Sequence, residues 1–204
     1  MRKLTIIGAS GHGRVVADIA VKSGYDEIEF LDDDSERKHC GKWGVIGGTL
    51  LAAQVDHDLF VAIGNAETRR TIMERLHGKN FPVLVHPNAT VADDAVLGEG
   101  TVVMAGAVIN PGAVIGCGGI VNTSASIDHD CVLGDYVHVA VGARLCGSVR
   151  VGNETWIGAG STVINNTEIC SGCMIGAGAV VIRSIPEEGV YVGVPAKMIR
   201  ANRR

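Results

Sequence analysis

Residues 95–145 read AVLGEGTVVMAGAVINPGAVIGCGGIVNTSASIDHDCVLGDYVHVAVGARL. A single interval runs through this stretch and beyond it. Stepping by six from Val91 meets Leu97, Val103, Ile109, Ile115, Val121, Ile127, Leu133, Val139, Leu145, Val151, Ile157, Val163, Ile169, Ile175 and Val181, sixteen aliphatic residues with none missed. Two positions earlier stand mostly small residues, among them Ala107, Ala113, Gly119, Ala125, Cys131, Ala143, Ser161, Cys173 and Ala179. Positions i and i−2 of a strand share a face. Each hexapeptide is therefore expected to be a short strand that turns one branched and one small side chain inward.

Strands this short can pair only if the chain turns after each one. Three to a coil gives a period of eighteen, and Gly98, Gly116, Gly134 and Gly152 keep that spacing, as do Gly158 and Gly176. Pro111, His129, Gly147 and Asn165 form another such series. Glycine and asparagine tolerate positive φ and proline suits a turn, so these positions read as corners. The expected product is a triangular parallel β-solenoid of about five coils stacked about 4.8 Å apart. The pattern leaves its handedness open.

The first 86 residues follow another rhythm. KLTIIGASGHG is a strand running into a glycine-rich turn, and RVVADIAVKSG has helical spacing. IEFLDDD and LFVAIGN read as further strands, AETRRTIMERLHG as a charged helix and FPVLVHP as a last short strand. Alternating β and α elements predict a Rossmann-like α/β domain over 1–86, followed by the solenoid domain over 87–204.

Composition narrows the function. A net charge of −4 argues against a general nucleic-acid binder, which needs clustered Lys and Arg. Lys197, Arg200, Arg203 and Arg204 make a basic end, read as a frayed, solvated tail. No apolar run approaches the roughly 20 residues of a membrane span, and the N-terminus breaks into glycine too early for a signal peptide. The expected location is the cytoplasm, where the six cysteines are reduced thiols. Cys170 and Cys173 form a C-x-x-C without a second pair, so they read as packing residues, and no metal is expected.

Two groups of residues invite a chemical reading. Gly8, Gly11 and Gly13 form G-x-x-G-x-G between a strand and a helix, a turn whose N–H groups can approach a phosphate. The spacing differs from the dinucleotide fingerprint, and the domain suits one mononucleotide or nucleotide-sugar better; a tight turn without a ligand is the alternative. Asp32 and Asp33 end the second strand, where an acidic residue can bind a ribose hydroxyl or simply be solvated. In the solenoid, His129 falls at a corner beside Asp130, with Gly147 one coil later, which leaves room for a ligand and an open N–H. A solvated corner residue is the plain alternative. His138 points outward in an apolar column with Val102, Ile120, Trp156 and Met174. A second such column is Val96, Val114 and Val132. Apolar outward columns imply packing against another solenoid or against the first domain.

With these residues assembled, the chain resembles the left-handed β-helix hexapeptide-repeat acyltransferases, and within them the bacterial sugar acetyltransferases that act on nucleotide-linked amino sugars or on sialic acid. GASGHG (8–13), FLDDD (30–34), AIGN (62–65), LVHP (84–87), NTSASIDHDC (122–131), HVAVGA (138–143) and GVPAK (193–197) carry the resemblance. It implies acetyl-CoA as donor, a left-handed helix and a homotrimer with sites between neighbouring β-helices. It implies that His129 is the general base and Asp130 its acidic partner, an aspartate where close relatives carry glutamate. Gly147 would offer its N–H to the oxyanion, and His138 and Trp156 would line the acetyl-CoA site. Acceptor contacts would come from Gly8, Ser10, Gly11, His12, Asp32, Asp33, Asn65 and Asn122.

The implied reaction is direct N-acetylation of a nucleotide-linked amino-dideoxy sugar. O-acetylation of sialic acid or a related sugar needs the same base and is a close rival. A zinc-dependent β-helix lyase would need three converging histidines, and His129 and His138 alone do not supply them. A non-catalytic nucleotide-sugar-binding scaffold is a third reading.

Overall fold

A computed structural model describes residues 1–201 of the chain. The chain divides into two compact units, Met1–Pro87 and a second beginning at Asn88.

The first unit is an α/β layer. Its elements are β1 (Lys3–Ile7), α1 (Gly11–Lys22), β2 (Glu27–Leu31), β3 (His39–Cys40), β4 (Trp43–Gly47), a 3-10 helix (Thr49–Gln54), β5 (Asp58–Val61), α2 (Ala66–Arg75) and β6 (Leu84–Val85). β1 to β5 make one sheet in the order β3-β4-β2-β1-β5. β1, β2, β4 and β5 run parallel, and β3 pairs antiparallel with β4. Leu4, Ile6, Ile7, Phe30, Leu31, Leu59 and Phe60 are buried, because a parallel sheet is covered on its faces and its strands become continuously apolar. The sequence reading omitted β3, β4 and the 3-10 helix. Their segment, HCGKWGVIGGTLLAAQ, is interrupted by glycines that hide the strand alternation.

The chain leaves β1 towards β2 on one side and returns to β5 on the other. In open α/β sheets the crevice at the carboxyl ends of strands flanking such a reversal is where ligands bind. Here that crevice lies between the turn after β1 and the loop after β5.

The second unit is a parallel solenoid of two-residue rungs. One face stacks Thr90–Val91, Val108–Ile109, Ser126–Ile127, Arg144–Leu145, Thr162–Val163 and Val180–Val181. The second stacks the five rungs from Val96–Leu97 to Glu168–Ile169, and the third the five from Val102–Val103 to Met174–Ile175. Successive rungs on a face pair in register eighteen residues apart, as in Ile109↔Ile127 and Val121↔Val139. From Val103 to Val181 every residue of the six-step series is buried, while Val91 and Leu97 of the open first coil are half-buried.

The eighteen-residue glycine series has a different cause from the one expected. Positive φ falls two residues later than Gly98, and then every six residues: at Gly100, Gly106 and Gly112, and also at Ser124, Asp130, Tyr136, Ser148, Glu154 and Asn166. Gly98 has no positive φ; a Cβ there would lie 2.5 Å from the Gly116 carbonyl carbon and the Cys117 nitrogen. Glycine repeats at these positions because adjacent coils touch backbone to backbone, not because the corner needs a left-handed residue.

Two other expectations are corrected or bounded. Lys197 and Arg200 do not belong to a frayed tail: Lys197–Ala201 is a strand that folds back antiparallel on Gly189–Val192. Arg203 and Arg204 lie outside the described residues. Val102 and Ile120 are buried within the single chain, whereas Val96 and Val114 remain exposed.

Candidate active site

The His129 corner is built from three successive coils. Asp130 takes a left-handed conformation, φ +59°, which aspartate tolerates better than most residues. Its N–H reaches down to the Pro111 carbonyl at 3.1 Å, and its Oδ2 turns back to His129 Nδ1 at 2.8 Å. The shorter aspartate therefore spans the distance to the ring. The Asp130 carboxylate can only accept, so Nδ1 carries the proton and Nε2 keeps its lone pair. From the coil above, the Ser148 N–H donates to the His129 carbonyl at 2.8 Å.

Gly147 sits against the free side of the imidazole. A Cβ at 147 would lie 2.5 Å from His129 Nε2 and 2.6 Å from Cε1. The Gly147 N–H donates to no partner among the described residues. A basic nitrogen and a backbone N–H without an internal partner thus share one corner, at which His129 is exposed and Gly147 is buried against its ring. The hydrogen bond from Asp130 raises the His129 pKa, with the charge of Asp128 the next contributor. Both effects favour the imidazolium, so this nitrogen is a stronger proton acceptor than an ordinary histidine.

His138 stands on the third face, not at this corner. It is buried, its ring centroid lies 4.1 Å from that of Trp156, and the planes are tilted by 49°. Asn122 Nδ2 donates to His138 Nε2 at 3.2 Å, and Asn122 Oδ1 accepts the Thr123 N–H. His138, Trp156 and Asn122 therefore form one cluster, and His129, Asp130 and Gly147 another, on different sides of the same solenoid.

The first unit gathers its expected residues at the carboxyl end of the sheet. Gly8, at φ +104°, lies so close to the loop after β5 that a Cβ would stand 2.9 Å from the Ala62 carbonyl oxygen. Gly13 packs against the Gly8 carbonyl, so a side chain there would collide with it, whereas a Cβ on Gly11 would meet nothing within 4 Å. Ser10 is exposed at the N-cap position of α1 and its side chain makes no cap bond. Asn65 caps α2 by accepting the Thr68 N–H at 2.8 Å. Asp32 Oδ2 accepts the Ala9 N–H at 2.7 Å, and Asp33 accepts from the Thr49 N–H and hydroxyl at 2.7 and 2.9 Å. Both carboxylates thus hold loops together, and they border a cleft of about 360 Å³ with Arg37, Gly47 and Gly48.

His12 faces a buried cation. Its Nε2 is buried without a hydrogen-bond partner among the described residues, and burial, followed by the charge of Arg69, pushes its pKa down to about 4. Arg69 is fully buried in α2 and donates to the Ile63 and Gly64 carbonyls at 2.6 and 3.0 Å, fixing the loop after β5. The sequence reading missed Arg69. The signal was present, since 69, 72, 73 and 76 form an inward stripe of which Ile72, Met73 and Leu76 are the apolar members. Arg37 was missed too; it donates to the Ala9 carbonyl at 2.9 Å and pairs with Asp32 and Asp34.

Known proteins share both units. The PglD N-terminal domain model matches residues 3–76, and the bacterial transferase hexapeptide model, six repeats, matches residues 148–183. GDP-perosamine N-acetyltransferase of Escherichia coli O157:H7 is 30% identical over 162 residues, 74% of this chain and 73% of that protein. UDP-N-acetylbacillosamine N-acetyltransferase of Bacillus subtilis (strain 168) is 40% identical over 113 residues; that match spans about half of each, 52% of this chain and 52% of the relative. Among solved structures, the acetyltransferase domain of PglB from Neisseria gonorrhoeae FA1090 in complex with acetyl coenzyme A is 46% identical, with a TM-score of 0.94 over 97% of this chain and 99% of that one. Perosamine N-acetyltransferase from Caulobacter crescentus, solved as a histidine-to-asparagine mutant with CoA and GDP-perosamine, is 34% identical, with a TM-score of 0.92 over 97% of each chain. The fold is thus an α/β domain followed by a left-handed parallel β-helix of the hexapeptide class. The chain belongs to the PglD-type hexapeptide-repeat acetyltransferase family.

Proposed function

We propose that this chain is an acetyl-CoA-dependent N-acetyltransferase that acetylates the amino group of a nucleotide-linked amino-dideoxy sugar. The observation that carries the proposal is the His129 corner, where Nδ1 is engaged by Asp130 at 2.8 Å and Nε2 lies free against Gly147. Its family membership supports acetyl-CoA as co-substrate, and relatives named for UDP-N-acetylbacillosamine and GDP-perosamine support a nucleotide-sugar acceptor.

His129 Nε2 accepts the proton that the amine loses as its nitrogen bonds to the thioester carbonyl carbon. Asp130 orients the ring and stabilises the imidazolium. The Gly147 N–H donates to the oxygen on which negative charge develops, an interaction typically worth about 3 kcal/mol. Collapse of that intermediate expels CoA thiolate, which takes up a proton. The transfer is direct, with no acyl-enzyme, because none of the cysteines falls on the motif position of a nucleophile; the Cys131 thiol near this corner is buried, donates to the Cys146 carbonyl at 3.2 Å and is pushed up in pKa by burial. The His138–Trp156 wall contacts acetyl-CoA, and the N-terminal unit binds the nucleotide portion of the acceptor around Gly8, Ser10, Gly11, His12, Asp32, Asp33 and Asn65, with Asn122 as a further acceptor contact.

The base corner and the His138 wall lie on different sides of one solenoid. A homotrimer, in which one copy's corner meets the next copy's face, brings the two together; the exposed Val96 and Val114 suit such an interface. The test is release of CoA thiol from acetyl-CoA with GDP-perosamine and with UDP-N-acetylbacillosamine. His129→Ala is expected to abolish it, and undiminished turnover by that variant refutes the mechanism. An enzyme that acetylates sialic acid hydroxyls and ignores both amines would instead support the O-acetyl reading.

A further inference from the structure

The His129 corner is tied to the coil beneath it by one side chain. Asn110 Nδ2 donates to Asp128 Oδ1 at 2.7 Å, and the same oxygen accepts the His129 backbone N–H at 2.8 Å. The backbones of Asn110 and Asp128 are already committed to the ladder, through bonds to Ile127 and Leu145 at 2.9 and 3.0 Å. The side-chain bridge is therefore additional to what the fold requires. It leaves Asp128 Oδ2 without a hydrogen-bond partner among the described residues, on the residue that immediately precedes His129.

We infer that Asn110 is a positioning residue for the general base: by holding Asp128 Oδ1, it fixes a carboxylate beside His129 and, through the shared oxygen, the main chain that carries the imidazole. This deepens the assignment of His129 as base and rests on it for its catalytic meaning.

The other groups around His129 are few. Asp130 engages Nδ1; Gly147 and Ser148 above carry no titratable group, nor do Pro111 and Gly112 below, and one coil further down Asp94 accepts the Gly112 N–H at 3.2 Å; of the two neighbouring thiols, Cys131 is buried, donates to the Cys146 carbonyl and has its pKa pushed up by burial. Asp128 is thus the second carboxylate acting on the ring. Its own pKa is held below the usual carboxylate range, first by the Asn110 hydrogen bond and then by the His129 N–H. Losing Asn110 leaves this carboxylate held by the His129 N–H alone, so it turns more readily away from the ring into solvent, where its charge is screened.

The test follows the His129 ring by NMR titration of the full chain, its resonance assigned by its disappearance in His129→Ala. Asp128→Asn is expected to lower the midpoint by about half a pH unit, the effect of one solvent-screened neighbouring charge. Asn110→Leu is expected to lower it part of the way, and to do nothing further when combined with Asp128→Asn. Asn110→Ser gives the same comparison if leucine disturbs the rung. In thiol release with acetyl-CoA and GDP-perosamine, the Asn110 variants are expected to lose kcat severalfold at unchanged KM. A wild-type midpoint in both Asn110 variants, or an equal shift with and without Asp128, overturns the inference. Full turnover by His129→Ala would instead refute the proposed mechanism and leave the titration result standing, so the two failures are distinguishable.

Discussion

Gly147→Ala separates catalysis from folding. The new Cβ would lie 2.5 Å from His129 Nε2, whereas ordinary van der Waals contact begins near 3.4 Å, so the ring must retreat by about 0.9 Å. It can do so: His129 is exposed, and among the described residues its side chain is held only by Asp130. The backbone at 147 is not left-handed, so alanine adds no strain there. A displacement of about 1 Å at a reacting group costs about 100-fold in rate, or about 2.7 kcal/mol of transition-state stabilisation. Gly147 itself is buried, but the group that gives way is the exposed ring, so the cost in stability should stay within about 1 kcal/mol. Gly98→Ala is the control. Its Cβ would strike backbone atoms of the next coil at 2.5 Å, which cannot swing aside, so it should cost about 1–3 kcal/mol or more in stability while sparing the activity of the folded fraction. The assay pairs CoA thiol release, with GDP-perosamine as acceptor, with urea melts of both variants. Gly147→Ala activity within twofold of wild type, or a loss of stability matching that of Gly98→Ala, refutes the reasoning.

Three further outcomes are expected. Because a base must be neutral to act and the His129 pKa is raised chiefly by Asp130, kcat/KM should climb with pH through a midpoint above that of an ordinary histidine; Asp130→Asn should move this limb to lower pH and lower the plateau, seen in a pH–rate profile. His12 is neutral in the fold with a pKa near 4 against about 6.5 unfolded, so its contribution is complete above pH 6.5, declines as pH falls to about 4 and amounts to about 3 kcal/mol; His12→Asn should flatten this acid loss in urea unfolding at pH 7 and pH 4.5. Asn65→Ala should lower stability by about 1 kcal/mol through loss of the α2 cap, measured by the same unfolding assay.

The solenoid was legible because its signal is redundant. An aliphatic every six residues repeats sixteen times, and a single exception would still leave the period plain. The reason for the glycines was not legible, since a sequence does not distinguish a residue chosen for its φ from one chosen because the next coil is too near. Ser124, Asp130, Tyr136 and Glu154 occupy left-handed corners without a glycine to announce them. The pairing of residues 129 and 147 followed from the eighteen-residue arithmetic alone. Arg69 escaped because an arginine in a charged helix reads as solvated, and its burial depends on the Ile63 and Gly64 carbonyls of a loop that only the folded chain brings within reach. Asp32 and Asp33 illustrate the opposite limit: the chain positions them where a ligand could be met, yet their oxygens already serve the Ala9 and Thr49 backbone.

A column of identical rungs has no internal reason to end, and its last rung exposes unpaired N–H and C=O groups to any copy that approaches. In this chain the final turn of the third face receives Gly189–Val192 and then the reversed strand Lys197–Ala201. The reversal breaks the direction that every earlier rung shares. A second molecule attempting to continue the stack would meet a strand of the wrong polarity with basic side chains along it, so the hairpin works as a terminator against filament growth.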